Sequence, residues 1–123
     1  MNLFSKLLLS FGLMFGAFAH ADTVAVQDSN FSQSISNGVV IVDVYADWCG
    51  PCKRFGPTFE KLSNEMTDVV FAKLNADYGY KVLEAYKVKA LPTIILFVNG
   101  VEVARQEGEM SLKDLRNFIQ RNI

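Results

Sequence analysis

Histidine and cysteine are scarce in this chain. Its 123 residues include one histidine, His20, and two cysteines, Cys49 and Cys52. Two cysteines cannot form the network of several disulfides that stabilises many small secreted domains. A structural zinc site usually needs four cysteine or histidine ligands, so we expect no metal ion, and no motif indicates another cofactor. The only histidine, His20, lies in an N-terminal segment that we expect to be removed. Its removal would exclude a cysteine–histidine nucleophile pair.

An excess of charge of either sign is also absent. The chain has 12 lysine and arginine residues and 13 aspartate and glutamate residues, which give a formal net charge of −1 and an isoelectric point near 5.8. Without a basic surface, nucleic acid is not an expected partner. Half of the residues are hydrophobic and the length suits one domain, so we expect a monomer with a proper core.

The hydrophobic run near the N-terminus is too short for a typical transmembrane helix, which needs roughly 20 apolar residues. Lys6 precedes the mostly apolar residues 7–18, and the segment ends in Ala19-His20-Ala21. A positive start, a short apolar run and small residues at a cleavage point are typical of a secretory signal peptide. We therefore expect cleavage after Ala21, and retention as a membrane anchor is the alternative.

Cleavage at this point would divide the chain into a signal peptide, residues 1–21, and a mature domain, residues 22–123. The mature domain would be exported, to the periplasm if the organism is a Gram-negative bacterium and to the medium otherwise. We expect no stable membrane insertion after cleavage. Export also places the two cysteines where disulfides can form.

The mature domain alternates between strand patterns and helix patterns. Five segments have the short apolar runs of strands: 23–26, 39–45, 69–74, 93–98 and 101–105. Four segments have helical spacing or capping residues: 31–36, the segment from Cys49 to Met66, 78–86, and the segment that begins at Ser111. Asn99-Gly100 favours a type I′ hairpin, because both central positions of that turn need positive φ. The order βαβαβαββα therefore predicts an α/β fold with a mixed five-stranded sheet and helices on both faces.

Both cysteines belong to the turn Trp48-Cys49-Gly50-Pro51-Cys52, which follows a strand and opens a helix. Thiol–disulfide exchange needs a thiolate that attacks and a second thiol that resolves the mixed disulfide. A helix N-terminus stabilises the Cys49 thiolate, because unpaired N–H groups and the positive end of the helix dipole face it. Helical spacing places Cys52 on the inward stripe, so we predict an exposed Cys49 and a sheltered Cys52.

Three other interpretations of the cysteine pair are open at this point. A structural disulfide that closes so short a loop removes little entropy from the unfolded chain. A zinc site would need more ligands than one mature chain supplies. Two coincidental core cysteines fit poorly with the neighbouring Trp48, Gly50 and Pro51. The motif and its context therefore favour redox chemistry.

Residues beyond the cysteine turn match the pattern of a known family. They are Asp43, residues 48–53, Pro57, Lys73, Leu91-Pro92-Thr93 and Gly108. From about Val24 to Ile123, nearly the whole mature chain, the sequence resembles the thioredoxins. The resemblance implies a thioredoxin fold for residues 22–123 and an enzyme that reduces disulfides in other proteins, which would be its substrates.

The same resemblance implies roles for four residues. Cys49 would be the attacking nucleophile and Cys52 the resolving thiol. Asp43 would be a buried carboxyl with a raised pKa that relays a proton for Cys52, and Lys73 would lie near it and modulate its titration. The alternative for Asp43 is a residue at the strand end that reaches solvent.

A substrate groove is also implied by the resemblance. The Leu91-Pro92 bond would be cis and would lie beside the cysteines, and the Leu91 backbone would pair with an extended substrate segment. Four further residues would complete this shallow apolar groove: Trp48, Gly50, Pro51 and Gly108. Plain core packing is the alternative for Trp48.

Two features depart from the family pattern. Tyr45 occupies a position where many thioredoxins carry tryptophan, and the predicted signal peptide is unusual because most thioredoxins are cytoplasmic. An exported reductant needs electrons from across the membrane, so we expect a membrane thiol–disulfide transporter as donor. A disulfide oxidant or isomerase on the same scaffold, or a binding protein that uses the groove without turnover, are the competing functions.

Overall fold

The computed structural model describes residues 22–123, so the predicted signal peptide lies outside the described residues. The strands are β1 (Val24–Val26), β2 (Val39–Tyr45), β3 (Val70–Asn75), β4 (Thr93–Val98) and β5 (Val101–Glu107). The helices are α1 (Phe31–Ser34), α2 (Gly50–Glu65), α3 (Tyr80–Ala85) and α4 (Leu112–Gln120), and a 3-10 turn spans Ala76–Tyr78. The predicted order βαβαβαββα is confirmed. Within residues 22–123, no helix is long and apolar enough to cross a membrane.

The five strands form one mixed sheet in the order β1-β3-β2-β4-β5. Strand β3 pairs in parallel with β1 and β2, whereas β4 is antiparallel to both β2 and β5. The β4–β5 hairpin turns at Asn99 and Gly100, which have φ values of 50° and 84°, as predicted. The Asn99 side chain also accepts a 2.8 Å hydrogen bond from the Gly38 backbone N–H, which ties the hairpin to the start of β2.

Two hydrophobic clusters cover the two faces of the sheet, because successive strand residues point to opposite sides. On one face, Ile41 and Phe71 pack against Phe55 and Phe59 of α2. Val42 and Leu74 point to the other face and pack with α1 and α3. Asp43 follows Ile41 by two residues and therefore faces α2, the helix that the two cysteines begin.

Several predicted boundaries differ from the observed ones. The predicted helix 78–86 is two pieces, because the Asn75 side chain accepts a hydrogen bond from Asp77 N–H and starts a separate 3-10 turn. Strand β5 continues beyond 105 because Glu107 pairs with Thr93. Helix α1 ends at Ser34 rather than at residue 36, and β3 is shifted one residue towards the C-terminus.

Candidate active site

The two cysteines lie at the N-terminus of α2. Cys49 is the N-cap residue, with extended backbone angles, and its sulfur accepts a 3.3 Å hydrogen bond from Cys52 N–H. Pro51 lies in the first turn, where a proline costs no intrahelical hydrogen bond. Cys49 and Cys52 are joined by a disulfide, with their Cα atoms 5.3 Å apart. The turn therefore brings the two sulfurs together and places Cys49 beside the unpaired N–H groups of a helix start.

The prediction of an exposed Cys49 is wrong in this oxidised form. Cys49 and Cys52 are only 6% and 4% exposed. The Cys49 sulfur lies 3.6 Å from the Leu91 carbonyl oxygen, and both cysteines pack against Ala46 and the partly buried Leu91. The two cysteines nevertheless differ in surroundings, because Cys49 lines one surface cavity and Cys52 lines another.

The cavity beside Cys49 is an open groove of about 620 Å³. Four of the predicted groove residues line it: Trp48, Gly50, Pro51 and Leu91. Trp48 is 69% exposed, so core packing of this residue is excluded. Its indole N–H donates to the Asp77 carboxylate, 3.2 Å from the nearer oxygen, and this bond holds the ring at the rim of the groove.

Pro92 and Gly108 adjoin this groove without lining it. The Leu91-Pro92 peptide bond is cis, as the family resemblance implied. The Gly108 N–H donates a 2.9 Å hydrogen bond to the Pro92 carbonyl oxygen, and Gly108 has a φ of 93°, which favours glycine. Gly108 therefore holds the backbone next to Leu91 in position.

About half of the groove residues were not predicted from the sequence. They are Ala76, Asp77, Leu83, Val88, Lys89 and Ala90. They come from the 3-10 turn, from α3 and from the loop before β4. None belongs to a sequence motif, and the pairing of both β3 and β4 with β2 brings these segments to the cysteines. Asp77 had one usable signal, since it follows a strand that ends next to the cysteine turn.

A second cavity, of about 520 Å³, lies on the Cys52 side of the helix start. Lys73 lines it together with Cys52, Gly56 of α2 and Tyr45 at the end of β2. The Lys73 ammonium nitrogen is 4.7 Å from the centroid of the Tyr45 ring. The cavity gives the buried side of the cysteine pair a route to solvent that is separate from the groove.

Asp43 has a fully buried carboxyl, and its partner in the strand register, Lys73, lines this second cavity. Asp43 is 0% exposed, so the alternative that it reaches solvent is wrong. In the described part of the chain, neither carboxylate oxygen has a hydrogen-bond partner. Asp43 and Lys73 are direct partners in the parallel β2–β3 register, which places both side chains on the α2 face. Burial raises the pKa of Asp43 to about 7, against the opposing effect of the Lys73 charge.

Metal ligation finds no support at this site. Among residues 22–123, no group of three or more histidine, cysteine, aspartate or glutamate side chains is placed to hold a metal ion. What the site does contain is a dithiol pair in its oxidised form, a buried carboxyl with a raised pKa and an adjacent groove. That combination is suited to proton-coupled thiol–disulfide exchange.

Comparison with known proteins leads to the same chemistry. Residues 22–121 match the family model described as thioredoxin. The chain is 40% identical over 97 residues to a thioredoxin of Chlamydia pneumoniae, covering 79% of this chain and 95% of that protein. A thioredoxin of Chlamydia trachomatis serovar D is 41% identical over 95 residues, covering 77% and 90%.

Solved structures agree with this assignment. A mutant thioredoxin from Halobacterium salinarum NRC-1 has a TM-score of 0.77 and 33% sequence identity, covering 85% of this chain and 93% of that chain. A thioredoxin from Plasmodium falciparum has a TM-score of 0.76 and 34% identity, covering 82% and 100%. The chain therefore belongs to the thioredoxin family, and its Cys49–Cys52 pair gives it the protein-disulfide reductase activity of a thiol–disulfide oxidoreductase.

Proposed function

We propose that this protein reduces disulfides of other proteins outside the cytoplasm, with Cys49 as the attacking thiol and Cys52 as the resolving thiol. The observation that carries the assignment of roles is the position of each sulfur. Cys49 caps the helix and lines the groove, whereas Cys52 lies one turn later and lines the opposite cavity. A substrate disulfide in the groove reaches Cys49 first.

The reaction consists of two exchanges. The Cys49 thiolate attacks one substrate sulfur, so that a Cys49–substrate bond forms, the substrate disulfide breaks, and the leaving thiolate takes up a proton. Cys52 then loses its proton and attacks the Cys49 sulfur, which releases the second substrate thiolate. Two electrons have passed from the protein dithiol to the substrate, and the protein ends as the Cys49–Cys52 disulfide.

Asp43 is the group that we assign to proton transfer with Cys52. A carboxyl with a pKa of about 7 exists in both protonation states near neutral pH, which suits a general acid or base. Its position on the α2 face, opposite Lys73, which lines the same cavity as Cys52, supports this role. Lys73, its register partner, modulates the titration through its charge.

The groove is the proposed site for an extended segment of the substrate protein. The Leu91 carbonyl beside the Cys49 sulfur supports backbone pairing next to the reacting atoms. Exposed Trp48 offers an aromatic face for apolar side chains of the substrate, and exposed Gly50 and Pro51 line the groove beside Cys49. Pro92 and Gly108 hold the Leu91 backbone in position.

The assignment of roles is tested by disulfide reduction in insulin, with dithiothreitol as electron source. We expect Cys49→Ser to lose the catalysed rate completely and Cys52→Ser to accumulate a mixed disulfide through Cys49. Equal rates for the wild type and Cys49→Ser would support a binding protein without turnover. Mixed disulfides that form through Cys52 in Cys49→Ser, but not through Cys49 in Cys52→Ser, would reverse the two roles.

The exported setting is supported by the composition of residues 1–21 and has its own test. In a Gram-negative host that expresses the full chain, we expect a periplasmic protein whose measured mass is that of a chain beginning at Asp22. A membrane thiol–disulfide transporter would supply its electrons, so deletion of such a transporter should leave the cysteines oxidised. A cytoplasmic protein that retains residues 1–21 would contradict the export proposal and leave the chemistry of the site intact.

A further inference from the structure

Lys73 is held at the second cavity by a neighbour that the reaction scheme above does not use. Its ammonium nitrogen lies 4.7 Å from the centroid of the Tyr45 ring, within the range of a cation–π interaction. A Cβ atom placed on Gly56 would lie 3.8 Å from the same nitrogen. The ammonium is therefore close to both the aromatic ring at the end of β2 and the backbone of α2.

Within the part of the chain that the structure describes, no carboxylate forms an ion pair within 4.0 Å with this ammonium. Four other charged groups surround it. Asp47 of the β2–α2 loop, and Lys53 and Glu60 of α2, line the second cavity, and Asp43 of β2 is the register partner of Lys73. On strand β1, the residue opposite Lys73 is Ala25, and this alanine is uncharged.

We propose that Tyr45 is a positioning residue, whose ring holds the Lys73 ammonium at the mouth of the second cavity and thereby sets its electrostatic action on buried Asp43. The proposal rests on the proposed role of Asp43 in proton transfer. A lysine ammonium is strongly hydrated and sits on a flexible stem, so without the ring it extends into solvent. Water then screens its charge from Asp43.

The direction of the effect follows from the charges. The Lys73 charge lowers the pKa of Asp43, whereas burial raises it. When the ammonium is released into solvent, it lowers the pKa of Asp43 less than before. Burial still raises this pKa, so the pKa of Asp43 increases. Movement of the ammonium inward is disfavoured, because it would have to lose its hydration to reach a carboxyl that is 0% exposed.

The test is titration of the Asp43 carboxyl carbon by ¹³C NMR in the oxidised protein, with Asp43→Asn to assign the signal. We expect Tyr45→Leu to raise the pKa of Asp43 on the order of half a pH unit, from the Coulomb energy of a unit charge moved a few ångströms. Tyr45→Phe is the matched control, since it keeps the aromatic ring, and we expect its titration to overlay that of the wild type.

A double-mutant cycle distinguishes positioning of Lys73 from a change in packing. Lys73→Met should itself raise the pKa of Asp43, and Tyr45→Leu should add nothing in that background. An equal increase from Tyr45→Leu with and without Lys73 would overturn the proposal, because the ring would then act on Asp43 directly. An unchanged or lowered pKa in the single variant Tyr45→Leu, or an increase in Tyr45→Phe equal to that in Tyr45→Leu, would overturn it as well.

The pH profile of insulin reduction supplies the second measurement. If Asp43 serves Cys52, the profile of Tyr45→Leu should move to higher pH by the same amount as the NMR titration. An NMR shift without a shift in the profile would leave the positioning by Tyr45 intact and count against the proton-transfer role of Asp43. The positioning of Lys73 by Tyr45 and the proton-transfer role of Asp43 are therefore tested separately.

Discussion

At the scale of single residues, the buried Asp43 carboxyl makes the stability of the fold depend on pH. Its ordinary pKa of 3.8 is raised to about 7, chiefly because burial disfavours the charged form. Between these two values the folded protein holds a proton that the unfolded chain has released. Stability therefore falls as the pH rises through this interval, and the full cost of the buried carboxylate is present only above the folded pKa.

Replacement of Asp43 by asparagine should remove this loss. Below about pH 4 the carboxyl is neutral in both the folded and the unfolded protein, so the loss of stability from the buried charge is absent there. From about pH 4 to 7 we expect Asp43→Asn to gain stability relative to the wild type, by up to about 4 kcal/mol at about 1.36 kcal/mol per pKa unit. Urea unfolding of both oxidised proteins across this range measures it. If the difference in unfolding free energy between the two proteins does not change with pH, the account of a buried carboxyl with a raised pKa is contradicted.

At the scale of elements, the short helix α3 depends on a residue far away in the sequence. Asp28, in the β1–α1 loop, accepts hydrogen bonds from Lys81 N–H and Val82 N–H, both 3.0 Å long. These are backbone donors of the first helical turn that would otherwise lack a partner. Leu83 of the same helix lines the groove, so this contact supports one wall of the site.

Loss of this cap should destabilise the protein without affecting the cysteines. We expect Asp28→Ala to lower the free energy of unfolding by about 1 kcal/mol, a usual cost for removing a capping side chain. The matched control is Asp68→Ala, because Asp68 is exposed and makes no side-chain hydrogen bond in the described residues. Denaturant unfolding checks both variants, and an equal loss of stability in the two would exclude the cap as the cause.

Element order was predictable from the sequence, but the contacts between distant elements were not. The apolar runs of β2 and β4, the Asn99-Gly100 turn and the Ser111 cap of α4 are local signals, and the structure agrees with each. The 3-10 turn before α3 depends on the side chain of Asn75, and the start of α3 depends on Asp28. The bond to Asp28 spans 53 positions, so no local pattern could reveal it, whereas the Asn75–Asp77 bond is a local signal that the prediction did not use.

At the scale of the whole molecule, the site is formed by strand ends and loops that the sheet topology brings together. The cysteines and Asp43 could be predicted because a dithiol turn and an acid in an apolar strand are unusual in sequence. The burial of Cys49 could not be predicted, because it results from packing against Leu91, which is 42 positions away in the sequence. The Tyr45–Lys73 contact was equally hidden, because it depends on the register of β2 against β3.

The reduction potential of the Cys49–Cys52 couple is the most direct test of the central claim, that this protein acts as a reductant. It is measured by equilibration of the protein with a dithiothreitol or glutathione buffer of known potential. We expect a value close to roughly −270 mV, which is the general reference potential for thioredoxin. A value near about −120 mV, typical of a strongly oxidising periplasmic catalyst, would contradict the claim and identify the protein as an oxidant.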